Sequence, residues 1–274
     1  MSIALLLAAA AVTPAPLSPS PAPTIDYARM IDQAIDGGRI IQAEAMLGQW
    51  RSDPQLSQSP AIGLAIAQME LAKGQNQQAE AHFAAINTIG STNCRVEEGL
   101  GIARLRLGRG QEAIAPLRRA VDLCADRWRA WNGLGVAYDR AGSWALAASA
   151  YERAFQLTDK PAQILNNYGL SLMAQGQAER AAAIFDKAHE LSPDNARIIA
   201  NADAAYVLSG REIERRATDD ADAWAKRLSD AGRVALRNGD TVKAQAYLSR
   251  AVTASERFQP EAAAALASMG VQQP

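Results

Sequence analysis

Apolar residues along the chain form short helical stretches, which are separated by glycines at a nearly constant distance. A glycine between two such stretches can adopt a positive φ and end a helix. The successive spacings are 36, 34, 34, 34, 34 and 29 residues, so the pattern predicts an array of helical hairpins. The glycines are Gly38, Gly74, Gly108, Gly142, Gly176, Gly210 and Gly239.

Three further columns keep the same period. Small residues on both arms of a hairpin let its helices approach closely, and a large residue fills the space between one hairpin and the next. Such hairpins bury their apolar faces only by stacking, which predicts a solenoid. Alanine follows the glycines by five residues at Ala43, Ala79, Ala113, Ala147, Ala181 and Ala244. A large residue follows by nine at Leu47, Phe83, Leu117, Tyr151, Phe185 and Leu248. Glycine precedes by seven at Gly101, Gly135, Gly169 and Gly232.

The fourth repeat carries the most specific signature. It reads Trp131-x-x-Leu134-Gly135-x-x-Tyr138 and continues with Ala147-x-x-x-Tyr151. This resembles the tetratricopeptide repeat. The resemblance implies an all-α, right-handed superhelical solenoid of about seven hairpins with a C-terminal capping helix. The units cover about 24–57, 60–93, 94–127, 128–161, 162–195, 196–224 and 225–258, the cap covers 260–270, and the whole array covers 25–270.

The sixth unit departs from the pattern. It is five residues short, and Asp203, Arg215 and Asp219 replace its small, alanine and aromatic positions. Its second helix cannot pack in the usual way, so we expect a bend, a shortened helix or a surface insertion. The acidic run at 218–222 is interpreted as a helix start, because it lacks the glycine and terminal glutamate of an EF-hand. In unit three, Pro116 is expected to bend the second helix or to remove a hydrogen bond.

The N-terminal residues have a different composition. Residues 3–12 are continuously apolar, which suits a signal peptide and is too short for a membrane-spanning helix of about 20 residues. We interpret 1–12 as a signal peptide, although no basic residue precedes Arg29. Residues 13–24 hold five prolines and are interpreted as an extended linker. The alternative is an alanine-rich tail that is never cleaved.

The composition argues against nucleic-acid binding, metal binding and catalysis. The net charge of −1 provides no basic field for nucleic acid. The chain has only two histidines, His82 and His189, which are too few to favour a zinc site or a histidine-based catalytic group. No phosphate-binding loop, nucleophile elbow or metalloprotease motif is present. We therefore expect no enzymatic activity, no metal or other cofactor, no nucleic-acid partner and no integral membrane span.

Polar residues recur on the face of each first helix that points away from its hairpin partner. In tetratricopeptide proteins this face lines a concave groove that binds extended peptides. Arginine can hold a carboxylate through two parallel bonds, and asparagine can pair with a peptide backbone. We predict a groove for an extended, acidic peptide, although the lysine and asparagine set of the chaperone-binding members is absent. The groove residues are Arg95, Arg129, Asn132, Asn166, Asn167, Arg197 and Asn201.

The two cysteines lie at the two ends of the third hairpin. Cys94 begins its first helix and Cys124 ends its second. Because the two helices are antiparallel, these ends lie together, and a disulfide can form in an oxidising compartment. The alternative is a pair of small apolar fillers.

Three classes of function fit a helical-repeat chain. The first is a periplasmic scaffold that assembles an envelope machine such as a pilus or secretion system. The apolar start, proline linker and Ala/Arg-rich repeats are similar in style to the tetratricopeptide component of tight-adherence pilus assembly. The second is a cytoplasmic adaptor or co-chaperone. The third, an enzyme or RNA reader built on repeats, lacks a catalytic segment and a basic charge.

Overall fold

In the computed structural model, residues 25–88, 93–255, 257 and 259–270 are described. Fourteen helices follow one another along this part of the chain, and no strand occurs in it. The helices are α1 Tyr27–Asp36, α2 Ile40–Ser52, α3 Ala61–Ala72, α4 Asn76–Thr88, α5 Cys94–Arg106, α6 Gly110–Leu123, α7 Trp128–Arg140, α8 Trp144–Gln156, α9 Ala162–Ala174, α10 Ala178–Leu191, α11 Ala196–Leu208, α12 Ala221–Arg237, α13 Thr241–Thr253 and α14 Pro260–Ser268.

The periodic glycines end the first helix of each repeat. All seven have a positive φ, between 69° and 86°, which is unfavourable for any residue with a Cβ atom. After Gly142, for example, the chain turns directly from α7 into α8. The hairpins predicted from the glycine spacing are therefore confirmed at six of the seven glycines, and Gly210 is the exception.

The other columns form the core. The six column alanines are completely buried, and Phe83, Leu117, Tyr151, Phe185 and Leu248 are at most 1% exposed. Each large residue packs within its own hairpin as well as towards the next one. A Cβ added to Gly101 would lie 2.4 Å from the Leu117 side chain, and one added to Gly133 in the next repeat would lie 3.1 Å from it. Glycine is thus required where the large residue crosses the facing helix.

The sixth repeat has no second helix. Residues 209–220, between α11 and α12, are not helical, so the array holds six complete hairpins, one single helix and the terminal α14. Ile213 in this segment is 2% exposed and packs with Leu228 and Tyr247 of the last hairpin. Asp220 accepts a hydrogen bond from the Ala223 amide and begins α12, as expected for the acidic run.

In the sixth repeat, a cluster of four charged residues takes the place of the apolar contact that the small and aromatic positions make in the other repeats. Arg227 donates to both oxygens of Asp203, at 2.7 and 2.8 Å, and also contacts the Asp219 carboxylate. Arg216 lies 3.9 Å from Asp203. The two aspartates that broke the sequence pattern are therefore held together by an arginine of the next repeat.

Helix α6 continues through Pro116, which is buried. Proline has no N–H, so the carbonyl of Glu112, four residues earlier, lacks its helical donor. Arg104 of the facing helix donates to this carbonyl at 3.1 Å. The expected loss of a helical hydrogen bond is thus compensated from the other arm of the hairpin.

No helix among the described residues is both long and apolar enough to cross a membrane. The proposed signal peptide and linker, residues 1–24, lie outside the described residues.

Candidate functional site

The first helices of successive repeats line the inner face of the solenoid. Among the described helices, α1, α3, α5, α7, α9 and α11 each contact the next first helix, whereas successive second helices do not contact one another. Because the first helices lie closer to one another than the second helices do, the array curves towards the first helices, and their side is concave. The residues that the sequence predicts for a peptide-binding groove therefore lie on the first helices, on this concave side, and peptide binding stays a prediction.

The first four repeats enclose a cavity of about 260 Å³ on this face. Its walls combine apolar residues such as Ile35 and Ile102 with charged residues of both signs. Arg127 forms a bidentate ion pair with Glu98, in which its Nε and Nη2 atoms donate to the two carboxylate oxygens at 2.9 and 2.8 Å. This hydrogen bonding raises the pKa of Arg127. The cavity thus has a balanced, largely paired wall rather than a uniformly basic one.

Two predicted groove arginines already have internal partners. Arg95 lies 2.9 Å from Asp32, and Arg129 pairs with Asp36, although 93 residues separate these two in sequence. Both aspartates belong to α1, so the solenoid winds tightly enough for the fourth repeat to reach the first. Any acidic segment in this part of the groove competes with α1 for these two guanidinium groups.

Arg106 is a cation that the sequence reasoning missed. It lines the cavity and donates to the Leu71 carbonyl at 2.5 Å, with no ion pair to a described residue. Partial desolvation at the cavity wall lowers the pKa of Arg106, although the residue as a whole is exposed. Arg140 makes the equivalent bond, to the Leu105 carbonyl at 2.7 Å, one repeat further on. This 34-residue recurrence is the sequence signal that could have revealed it.

The four predicted asparagines pair across repeats. Asn167 donates to the Asn132 side chain at 3.0 Å, and Asn201 donates to Asn166 at 2.7 Å. Each pair uses one amide donor and one amide oxygen, so further donor and acceptor positions remain on the half-buried Asn132, Asn167 and Asn201, whereas Asn166 is buried. The structure thus brings these residues together as a ladder along α7, α9 and α11.

Apolar side chains lie one turn away from this ladder. Val136 and Leu170 follow Asn132 and Asn166 by four residues, and therefore share their helix faces. Leu170 is 43% exposed. Arg197 is exposed at the start of α11 and forms no side-chain ion pair with a described residue. This part of the groove offers amides, an apolar strip and the Arg197 cation.

The third hairpin is closed by a disulfide. Cys94 and Cys124 are bonded, with their Cα atoms 6.0 Å apart. They join the start of α5 to the end of α6, so the bond constrains the hairpin that contributes Arg95, Arg106 and Glu98 to the groove.

Among the described residues, no group of three or more His, Cys, Asp or Glu side chains is placed to hold a metal ion.

Two tetratricopeptide-repeat family models match the chain, over residues 98–161 and 162–195. Together they cover the repeats whose glycine, alanine and aromatic positions pack as described above. The chain belongs to the tetratricopeptide repeat superfamily. Proteins of this superfamily are generally non-catalytic scaffolds for protein–protein interaction. No protein of curated function matches this repeat protein in sequence.

Solved structures share the fold of this tetratricopeptide protein at low identity. The APC/C assembly Cut9–Hcn1 matches with a TM-score of 0.62 and 16% identity, over 90% of this chain and 49% of that one. The thermophilic protein TTC0263 of Thermus thermophilus matches with a TM-score of 0.55 and 18% identity, over 66% and 98%. PilW, a type IV pilus biogenesis factor, matches with a TM-score of 0.54 and 17% identity, over 88% and 96%.

Proposed function

We propose that this protein is a non-catalytic scaffold that holds an extended segment of a partner protein in its concave groove. The observation that supports this most is the asparagine ladder of Asn132, Asn166, Asn167 and Asn201, in which the three half-buried members have spare amide groups and the buried Asn166 holds Asn201 in place. Amides bind a peptide backbone whatever its sequence, and Val136 and Leu170 are placed to receive apolar side chains. Arg197 and Arg106 supply cations for carboxylates of the bound segment.

We further propose that it acts outside the cytoplasm, in the bacterial periplasm, as an assembly factor for an envelope machine such as a pilus or secretion system. The disulfide supports this compartment because thiols are kept reduced in the cytosol. The apolar segment at 3–12 and the proline-rich segment at 13–24 support export through the envelope.

The groove is tested by photo-crosslinking in the native host. A photoreactive amino acid at position 170 lies on the groove, and one at Val242, which is 78% exposed at the start of α13, is the matched control. We expect the partner to be captured from position 170 and not from position 242. Capture from position 242 alone would mean that the partner binds another face.

The captured segment is then titrated against variants by calorimetry. Arg197→Glu should weaken binding by about tenfold or more, because a charge-assisted contact in a desolvated groove is worth about 1.5–3 kcal/mol. Leu170→Glu should weaken it by a similar factor, because it places an unpaired carboxylate where the groove receives an apolar side chain. Arg129→Glu should also weaken it, but this change places two carboxylates together at Asp36 and can separate the first and fourth repeats. Unchanged affinity in both Leu170→Glu and Arg197→Glu, with unchanged helicity, would exclude the groove.

The compartment is tested by fractionation and N-terminal sequencing of protein from its own host. A mature protein that begins between about residue 11 and residue 24 outside the cytoplasm is expected. Thiol labelling should find both cysteines oxidised. An intact Met1-Ser2 start with free thiols in the cytoplasmic fraction would instead support the cytoplasmic adaptor.

A further inference from the structure

We propose that the sixth repeat holds a second binding site, separate from the concave groove, which takes a carboxylate group of a partner protein chain. The site is the cavity of about 470 Å³ beside residues 211–216, where a regular repeat would place its second helix. It uses no residue of the groove site, so the two proposals stand or fall independently.

Arg216 is the central group of this site. Its side chain is 17% exposed, yet it makes no hydrogen bond to any described residue, and its Nη1 atom is buried without a partner. Arg227 takes both oxygens of Asp203, which leaves Arg216 only a 3.9 Å approach to that carboxylate. A partly buried guanidinium whose two Nη1 N–H groups are buried without an acceptor is costly, which indicates that a ligand completes it.

A second buried atom without a partner belongs to a residue that lines the same cavity from another helix. The Nδ1 atom of His189, on α10, is buried and has no hydrogen-bond partner among the described residues. Two residues that each hold a buried polar atom without a partner, one on the segment that replaces the missing helix and one on the preceding repeat, therefore line one cavity. The absence of the second helix is what opens this space.

The remaining lining residues define the charge of the site. Arg211 lies over the Tyr206 ring at 4.3 Å and 3.9 Å from Asp186, and Arg215 donates to the Asp219 carbonyl at 3.1 Å. Two glutamates also line the cavity. Glu212 lies 3.4 Å from Arg250 on α13, and Glu214 is exposed. Arg216 thus remains the lining arginine whose guanidinium makes no hydrogen bond to a described residue and has a buried Nη1 atom.

This arrangement favours a carboxylate over a phosphate. A guanidinium presents two parallel N–H groups that match the two oxygens of a carboxylate. Glu212 and Glu214 at the cavity oppose a doubly charged phosphate more strongly than a singly charged carboxylate. The carboxylate can belong to an aspartate or glutamate side chain or to the C-terminus of the partner chain.

Arginine Nε–Hε signals in NMR spectra of the full chain provide the test. Three pentapeptide probes distinguish the sources: acetyl-pentaalanine with a free C-terminus, an amidated acetyl-pentapeptide with a central glutamate, and amidated acetyl-pentaalanine without a carboxylate. Inorganic phosphate is the fourth probe. The Arg216 signal is identified by its loss in Arg216→Met.

We expect the Arg216 signal to shift with one or both carboxylate probes and not with the neutral peptide. Arg216→Met should bind that probe at least tenfold more weakly, while Arg153→Gln, an exposed arginine on α8, should bind it as the parent does. Arg216→Met should not lower the urea midpoint, because Asp203 keeps Arg227. Stronger binding of phosphate than of both carboxylates, no shift with any probe, or full binding by Arg216→Met would overturn the proposal.

Discussion

Adding one methyl group at Gly135 tests the packing rule on which the repeats depend. A Cβ atom there would lie 2.4, 2.6 and 2.7 Å from the Cε1, Cδ1 and Cζ atoms of the Tyr151 ring. The ring cannot swing aside easily, because it is 1% exposed and its hydroxyl donates to Asp139 at 2.7 Å. The two helices of the fourth hairpin must therefore separate.

The expected magnitude combines two opposing effects. Overpacking a filled core costs about 1–3 kcal/mol, and a rigid ring places this site near the upper end. Alanine in a helix regains about 1 kcal/mol relative to glycine. We expect Gly135→Ala to lower the free energy of unfolding by about 2 kcal/mol, measured by urea denaturation with circular dichroism.

Gly48→Ala is the matched control. Gly48 lies inside α2, and a Cβ atom added there has no neighbour within 4 Å. This change should stabilise the protein by about 0.5–1 kcal/mol through helix propensity alone. In a Tyr151→Ala background, Gly135→Ala should lose its cost because the ring is gone. The reasoning is refuted if Gly135→Ala stabilises the parent as much as Gly48→Ala does.

Three further changes test other parts of the fold. Reducing the Cys94–Cys124 bond, which closes a separation of 30 residues, should cost about 3.6 kcal/mol in the urea unfolding free energy. A variant with alanine at both positions should not respond to reductant, and an unchanged parent midpoint would contradict the estimate. Asp203→Ala should cost about 3–5 kcal/mol because it leaves Arg227 buried with fewer partners, whereas Glu261→Ala at an exposed pair should cost below about 1 kcal/mol. Burial raises the pKa of Asp139 above its ordinary value of 3.8, so the folded state holds this proton more tightly than the unfolded state. The parent should therefore gain stability relative to Asp139→Asn as the pH falls from about 7 to about 4, and an opposite slope in paired denaturation curves would exclude this sign.

The repeat architecture is a property of the sequence because it depends on requirements that are local to one hairpin. A glycine such as Gly142 must supply a positive φ, and Gly135 must leave room for the residue that faces it. These requirements recur at a fixed spacing, so the repeats can be predicted from the sequence without knowledge of distant contacts. The position of the defective sixth repeat followed in the same way from Asp203 and Asp219.

The ion pairs and the shape of the groove could be determined only from the tertiary structure. The sequence placed Arg95 and Arg129 on one face, but their pairing with Asp32 and Asp36 depends on how tightly the repeats wind, which sums small rotations over several units. The same holds for the position of Arg106 in the cavity wall. In the sixth repeat, the sequence predicted a defect without its form. Only the folded chain decides that this helix is absent and that Arg227, rather than Arg216, captures the buried aspartates, because that choice is a competition between side chains of different repeats.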